Sequence, residues 1–335
     1  MDIILGILLC FIAGLIPAII YSWFVNWLDR HEKEPWWLLA LAFTWGAIPG
    51  IIIALIAQII LDVPTTWILP SQGLAYEVIG GSLWAPLTEE FVKGLGLVLI
   101  LIVAHREVDN ILDGMIYGAM AGVGFAFTEN LFYFGGALFE GGWGAWVFVV
   151  LLRTIPFGLN HAFFSAWFGG GLSLAYLSRN PLLRIGGPIG GFVAAVVFHG
   201  LHNLGASLAA EDPTIICLAV IANWGGIVLL GILIALIWRQ ERAWLIEQLP
   251  GEVSQETYHM VTSWRRWVGL RFEALLGGNL GRWRRLGRLR HVAIELAFKK
   301  RRLTDRGPDD FIEKDIETYR QELSQLDPKP LSPAS

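Results

Sequence analysis

Charged residues are scarce in this sequence, and cysteine is almost absent. Only 16% of its 335 residues are Asp, Glu, Lys or Arg, and the net charge is −4. The two cysteines, Cys10 and Cys217, lie in apolar runs, which argues against a disulfide framework or a thiolate metal site. The sequence also lacks an internal repeat and a nucleic-acid-binding motif, so a transporter built from inverted halves and a nucleic-acid partner are both disfavoured.

Hydrophobic residues, in contrast, make up 55% of the chain and fall in long blocks rather than in amphipathic stripes. Blocks of about 20 apolar residues have the length needed to cross the roughly 30 Å hydrocarbon core of a bilayer. We therefore predict an all-α fold, a polytopic transmembrane helical bundle. About seven spans are expected, near residues 3–25, 36–61, 78–104, 112–139, 144–177, 188–209 and 214–238.

Two of these spans are unusual. The first, 3–25, has neither a basic leader nor an A-x-A cleavage site, so we expect a retained span rather than a signal peptide. The fifth, 144–177, is too long for a simple helix. It contains Arg153, Pro156 and Gly158, which predicts either a broken helix or a short re-entrant piece followed by a span.

Basic residues alternate between the loops. Lys and Arg occur in the loops 26–35, 105–111 and 178–187, and they are absent from the loops between these. The positive-inside rule then predicts a multi-pass protein of the cell membrane, with its N-terminus outside and its C-terminal tail in the cytoplasm.

The chain changes character near residue 239. Residues 1–238 contain 7 basic and 15 acidic side chains, whereas the rest contains 18 basic and 14 acidic ones. We predict a transmembrane domain, 1–238, and a cytoplasmic helical tail, 239–335, with a frayed C-terminus. Within the tail, residues 263–302 mix Trp, Leu and Arg at helical spacing, which is typical of helices on an anionic lipid surface. A solvated helical appendage is the alternative.

Four spans carry polar residues that do not belong in lipid. On insertion scales a charge at the centre of a span costs roughly 2.5–3.5 kcal/mol, so ionisable groups inside a bundle indicate function by default. The residues are Glu89, Glu90 and Lys93 in the third span, Glu129 and Asn130 in the fourth, Arg153, Asn160 and His161 in the fifth, and His199, His202 and Asn203 in the sixth.

The stretch TEEFVKG (88–94) is the most informative of these. At about 100° per residue, Lys93 lies angularly between Glu89 and Glu90, so one lysine serves two acids. Neighbouring carboxylates in a low dielectric resist double ionisation, which suits general acid and base catalysis. Pro86 predicts that regular helix ends upstream of the pair, and Thr88 is the predicted N-cap of the helix that carries both glutamates in its first turn.

On the sixth span, His199, His202 and Asn203 project to one side. Asn203 is predicted to orient His199 or to bind an oxyanion. Structural roles are the alternative for several residues. His202 and Asn130 are equally typical of interhelical hydrogen bonding, and Glu129 is also consistent with a buried ion pair to Arg153.

No cofactor is expected, although a zinc ion stays open as an alternative. His161, His199 and His202 with a glutamate offer enough donors for a zinc site with an open position. Against this, the sequence lacks H-E-x-x-H, and the three histidines come from two different spans.

Five ordered motifs resemble the PrsW family of membrane proteases, which is itself similar to the CAAX prenyl endopeptidases and the bacteriocin-processing enzymes. The resemblance covers roughly residues 29–205. The motifs are DRHEKEP (29–35), APLTEEFVKG (85–94), DGMIYGAMAGVGFAFTEN (113–130), RTIPFGLNHAFFS (153–165) and HGLHN (199–203).

This resemblance implies a glutamate-dependent endopeptidase with its site inside the bilayer, which cuts a membrane-anchored protein such as an anti-sigma factor. It also implies roles for single residues. Those that match the family's motifs are the paired acids Glu89 and Glu90, their basic partner Lys93, the second motif Glu129 and Asn130, the histidines His161 and His199, and Asn203.

The leading hypothesis is peptide-bond hydrolysis by an activated water. Glu89 or Glu90 takes the proton of that water, His161 or His199 assists, and an oxyanion is stabilised by Asn203, with Asn130 as a second donor. A covalent intermediate is not expected, because neither cysteine lies near these motifs and Ser165 lacks a nucleophile signature. The competing class is a non-catalytic membrane protein, either a sensor or a proton-coupled transporter that uses the buried Glu and His residues.

Overall fold

The structure is a computed structural model that describes residues 3–69, 73–209 and 212–327. All regular structure in these ranges is helical. The helices are α1 (Ile3–Leu28), α2 (Trp36–Trp45), α3 (Ile51–Ile68), α4 (Leu74–Ile79), α5 (Ala85–Val103), α6 (Ile111–Thr154), α7 (Asn160–Leu177), α8 (Pro181–Leu208), α9 (Ile216–Gln248), α10 (Gln255–Val261), α11 (Trp264–Leu276), α12 (Leu280–Arg306) and α13 (Asp310–Leu326). Short π-helical turns precede α3 and α5, at Gly46–Gly50 and Gly80–Trp84.

Within the described residues, five helical stretches are long and apolar enough to cross a membrane. They are Ile3–Leu28, Trp36–Ile68, Ile111–Thr154, Pro181–Leu208 and Ala219–Gln248. The predicted all-α membrane bundle is therefore confirmed. The other two predicted spans, 78–104 and 144–177, include α5 and α7, which contain 19 and 18 residues and carry several of the polar side chains. The total of seven spans stays a prediction.

Helix α6 folds back on itself. Glu129 and Arg153 are 24 residues apart, which a straight helix would convert into a separation of ~36 Å. Their side chains nevertheless meet at 2.5 Å. The reversal occurs at Gly142, whose φ of 75° and ψ of −169° lie in a region that is essentially restricted to glycine. The helix is thus a hairpin with a first arm, 111–141, and a second arm, 143–154.

The predicted fifth span, 144–177, is broken. Its first part is the second arm of α6, and its second part is α7. Pro156 and Gly158 lie in the non-helical segment between the two parts. Proline ends the second arm because it lacks an N–H and clashes with the preceding turn.

Close packing sets the position of α7. A Cβ atom added to Gly118 or Gly122 on the first arm of α6 would lie 2.3 Å from the carbonyl oxygen of Ser165 or 2.2 Å from that of His161. No other residue type fits at these two positions. Because the residue numbers rise on one helix as they fall on the other, α7 runs antiparallel to the first arm and brings His161 and Ser165 against it.

The chain forms two compact units. One consists of Met1–Asp29 and Glu34–Leu233, and the other of Arg30–Lys33 and Ile234–Ser335. The second unit has an apolar core of its own, built largely from α12, where Val292, Ala293 and Ile294 are fully buried. The second unit is thus helical in the described part of the chain, and the division into a transmembrane domain, 1–238, and a cytoplasmic tail, 239–335, stays a prediction.

Candidate active site

The paired glutamates lie near the start of α5. The helix continues into α5 without a break from the π-helical turn Gly80–Trp84. The prediction of an N-cap at Thr88 is wrong, because its hydroxyl donates to the carbonyl oxygens of Trp84 and Ala85 in the preceding turn. Pro86 falls in the first turn of α5, where its missing N–H is tolerated, so it does not interrupt the helix.

A single buried lysine contacts both acids. Nζ of Lys93 lies 2.7 Å from Oε1 of Glu90 and 3.5 Å from Oε2 of Glu89. It also lies 4.2 Å from the ring centre of Phe125, within the range of a cation–π contact. Helical spacing predicts this arrangement of one lysine between two acids.

The two acids differ in their hydrogen bonding. Oε1 of Glu90 accepts from Lys93 and lies 2.9 Å from Nδ1 of His199, and Oε2 accepts from the hydroxyl of Ser165 at 2.8 Å. In contrast, Oε2 of Glu89 is buried and has no hydrogen-bond partner among the described residues. Glu89 is therefore the acid with an oxygen that can take a proton or a ligand.

His199 reaches this pair from α8. Its ring stacks on Phe164 with 4.7 Å between the centres. Because a carboxylate only accepts hydrogen bonds, Nδ1 carries the hydrogen that goes to Glu90, and Nε2 presents a lone pair. That Nε2 lies 3.9 Å from Oε2 of Glu89. The gap is too wide for a hydrogen bond and has the size that one water or one metal ion bridges.

His161 supplies a second imidazole from the first turn of α7. Its Nδ1 lies 3.1 Å from Nζ of Lys93, and its Nε2 lies 2.9 Å from Oε2 of Glu129. An ammonium group only donates, so Nδ1 accepts and Nε2 donates to Glu129. The centre of this ring lies 5.0 Å from that of His199. The two predicted histidines thus meet at one place.

The second arm of α6 supplies Arg153. Its Nη2 lies 2.5 Å from Oε2 of Glu129, and its Nε lies 2.6 Å from Oδ1 of Asn130. The guanidinium group also packs over the ring of Tyr133 at 3.8 Å. The ion pair considered for Glu129 is present, and the same carboxylate also holds His161.

His202 and Asn203 face other partners. Nδ1 of His202 lies 2.7 Å from the amide nitrogen of Asn223 and 3.3 Å from that of Asn160. The amide of Asn203 donates to the carbonyl oxygen of Gly81 at 2.7 Å rather than to an imidazole. These side chains diverge over the ~100° that separates them on α8, because a shared helix face does not imply shared contacts.

A cleft of about 510 Å³ opens beside Glu89. Its walls are mostly apolar and come from α3, the π-helical turn before α5 and the first arm of α6. The polar side chains that reach it are Gln58, Glu89, Glu129, Tyr133 and Asn203. Glu90 is not among the lining residues, so Glu89 is the acid of the pair that faces the space a substrate would fill.

Two contributors escape the sequence analysis. Nε2 of Gln58 lies 3.3 Å from Oε1 of Glu89 and 3.4 Å from Oγ1 of Thr88. The signal for Gln58 is a single amide in the apolar run IIIALIAQIILDV (51–63). Ser165, considered only as a nucleophile, acts instead as a donor to Glu90. A serine in a glycine-rich apolar helix gives no signal for such a contact.

The charges of this site do not balance. The site contains two basic side chains, Lys93 and Arg153, and three carboxylates, those of Glu89, Glu90 and Glu129. With neutral histidines and ordinary ionisation, one negative charge is left over in a buried environment, which is costly. A bound cation or an additional proton removes that cost.

Three side chains could hold a metal ion. Glu89, His161 and His199 offer one donor atom each, all within 4.8 Å of one another. One carboxylate oxygen and two imidazole nitrogens form a donor set that catalytic zinc sites use. Oε2 of Glu89, which has no hydrogen bond, fits this role, whereas Nδ1 of His161 would have to exchange Lys93 for the metal. His202, included in the zinc set considered from sequence, lies outside this group.

The profile of one protein family matches residues 34–237, and its description reads "PrsW family intramembrane metalloprotease". This range contains all the site residues described above and more than half of the chain. The chain belongs to the PrsW family. The word metalloprotease in the PrsW description agrees with the chemistry of the donor set on α5, α7 and α8.

Individual PrsW relatives match over shorter stretches. The chain is 30% identical over 123 residues to Protease PrsW of Clostridioides difficile (strain 630), which covers 37% of this chain and 49% of the relative. It is 30% identical over 122 residues to Protease PrsW of Geobacillus kaustophilus (strain HTA426). This match covers 36% of this chain and 50% of the relative. The chain thus spans about half the length of these two relatives.

A third relative is matched over more of its length. The chain is 27% identical over 198 residues to Protease PrsW of Oceanobacillus iheyensis, which covers 57% of this chain and 80% of the relative. No solved structure matches this chain.

Proposed function

We propose that this PrsW-family member is a membrane-embedded endopeptidase in which Glu89 activates the attacking water. The observation that carries the proposal is the contrast within the pair. Oε2 of Glu89 lacks a hydrogen bond, while the same residue lines the cleft, and Nε2 of His199 lies 3.9 Å away. A water between these two atoms donates one hydrogen to each and keeps a lone pair for a carbonyl carbon.

Glu90 has a positioning role in this scheme. Its oxygens accept from Lys93, His199 and Ser165, and the residue does not line the cleft. The contact to His199 fixes which ring nitrogen carries hydrogen, and this directs the lone pair of Nε2 toward Glu89. Ser165 is occupied as a donor, so hydrolysis proceeds without an acyl-enzyme intermediate.

The remaining groups stabilise charge. The positive charge of Lys93 lowers the free-energy cost of burying the two acids. His161 links this lysine to the Glu129–Arg153 ion pair. An amide nitrogen has two hydrogens, and Asn203 donates one to Gly81, so its second hydrogen serves the tetrahedral oxyanion at the cleft.

A metal ion has a defined place in the proposal. Glu89, His161 and His199 would hold it, as the donor set indicates. When bound, a zinc ion supplies Lewis-acid polarisation of a water or a carbonyl oxygen. Glu90 orients His199 through Nδ1 in either case, because this contact leaves Nε2 free.

The substrate is proposed to be a membrane-anchored protein of the anti-sigma-factor kind. The related chains named Protease PrsW support a protein substrate, and the location of the site among membrane-spanning helices favours a segment at or in the bilayer. We further propose the cell membrane as the location, with the N-terminus outside and the tail in the cytoplasm, from the distribution of basic loops.

The test uses the full chain in proteoliposomes together with single-span reporter proteins whose membrane segments differ. We expect new peptide termini, detected by mass spectrometry, with the wild-type chain and none with His199→Ala, while membrane insertion is unchanged. Proton flux across the vesicles without new termini would instead support the transporter alternative and overturn the protease proposal.

A further inference from the structure

The turn between α11 and α12 exposes an apolar surface. On α11, Trp267 and Leu270 pack against the core of the second unit, and Ala274 on the same side is buried. The opposite side also consists of large apolar residues, which are between 41% and 72% exposed. We call this surface the tip: Val268, Phe272, Leu275 and Leu276 on α11, and Leu280 at the start of α12.

The tip residues follow helical spacing. On α11 they occupy positions i, i+4, i+7 and i+8, which places them in one stripe. The chain then reverses through Gly277 and Gly278, and Gly278 has a φ of 66°, a left-handed conformation that glycine adopts at no steric cost. The turn adds Leu280 to the same end of the helical pair.

Positive charge flanks the tip residues in the sequence. Between residues 265 and 285 the sequence contains six arginines and one glutamate. Arg265, Arg266, Arg282 and Arg284 are exposed. Among the described residues, none of these four guanidinium groups has an ion-pair partner. A cationic rim around an apolar patch is complementary to an anionic lipid surface, where headgroups meet acyl chains.

The rest of the segment 263–302 is unsuited to this role. From Val292 to Lys299 every side chain of α12 is buried, and most of its apolar residues belong to the core of the second unit. The lipid contact predicted from sequence for the whole of 263–302 therefore has only its first part available.

We propose that the tip is a membrane-surface anchor that binds anionic phospholipid headgroups through Arg265, Arg282 and Arg284 and inserts Phe272 and Leu276 among the acyl chains. The chain enters this unit from the apolar stretch Ala219–Gln248. This apolar stretch tethers the second unit to the bilayer, so the local lipid concentration is high. Weak contacts therefore suffice for binding of the tip. This proposal does not depend on the protease proposal.

The experiment places the full chain in nanodiscs. In a Cys10→Ala, Cys217→Ser background, Leu276→Cys is labelled with an environment-sensitive dye, and Ser324→Cys on the exposed side of α13 serves as the matched control. The discs contain either phosphatidylcholine alone or about one third phosphatidylglycerol. Spin-labelled lipids report the contact by quenching.

The expected result is quenching at position 276, but not at 324, in the discs with phosphatidylglycerol. Each arginine near an anionic surface raises the ratio of docked to undocked tail about 5-fold. Replacing Arg265, Arg282 and Arg284 by Gln should therefore lower the ratio of docked to undocked tail on the order of 100-fold. The proposal would be overturned by equal quenching at 276 and 324, or by no quenching at 276. It would also be overturned if the dye at 276 became buried in neutral discs only when two copies of the chain are present.

Discussion

Nδ1 of His199 lies 2.9 Å from Oε1 of Glu90. This contact joins α8 to α5. It leaves the other ring nitrogen, Nε2, facing Glu89. Two adjacent glutamates thereby have different surroundings. Glu90 is hydrogen-bonded to His199, and Glu89 faces the cleft.

Ser165→Ala separates a hydrogen-bonding serine from a nucleophilic one. Its hydroxyl donates to the carboxylate of Glu90 at 2.8 Å, and hydrogen bonds to charged groups contribute about 1.5–3 kcal/mol. We expect a lower unfolding temperature of the purified chain, with cleavage of the reporter retained within about 10-fold. Complete loss of cleavage in a folded variant would point to an acyl-enzyme mechanism instead.

Gln58→Leu tests the support of Glu89 from α3. The amide nitrogen lies 3.3 Å from Oε1 of Glu89, and a hydrogen bond contributes about 0.5–1.5 kcal/mol. We expect kcat to fall about 3- to 10-fold because Glu89 gains freedom to turn. Ile59→Leu, at an exposed neighbouring position, is the control and should leave kcat unchanged. Equal rates for the two variants would contradict the role of Gln58.

Gly142→Ala tests the reversal of α6. The positive φ of Gly142 makes a side chain costly, by about 1–3 kcal/mol. Gly144→Ala is a matched control, because neither glycine has a neighbouring atom within 4 Å of an added Cβ. We expect thermal unfolding in detergent to occur at a lower temperature only for Gly142→Ala. Similar unfolding temperatures would mean that the chain does not reverse at this position.

Zinc content tests the metal donor set independently of activity. After dialysis against zinc, we expect the wild-type chain to retain about one ion, and Glu89→Gln and His199→Ala to lose it. His202→Ala should bind as the wild type does, because this histidine is hydrogen-bonded to Asn160 and Asn223. Loss of zinc in the His202 variant, or no zinc in the wild type, would exclude this site.

Much of the candidate site can be predicted from sequence because burying an unpaired ionisable group in a membrane costs free energy. An ionisable residue in an apolar helix needs a partner, so Glu89, Lys93, Glu129 and His161 stand out without any structure. The i, i+3 and i, i+4 spacings on α5 also fix which of them share a lysine.

Other features depend on contacts between distant helices. The reversal at Gly142 is invisible because glycine is common in membrane helices, where it usually marks close packing. His202 and Asn203 share a face with His199, yet each meets a different neighbour. The hydrogen bonding of Glu89 and Glu90 differs because α7 and α8 supply donors to Glu90.

The most direct measurement compares Glu89→Gln with Glu90→Gln in the same proteoliposomes. Glu89→Gln should lower the cleavage rate by at least ~100-fold, as expected for loss of a general base, while the unfolding temperature is maintained. Glu90→Gln should lower stability by about 3–5 kcal/mol, because it breaks a buried pair with Lys93. Cleavage at the wild-type rate by Glu89→Gln would contradict the central claim that this carboxylate activates the water.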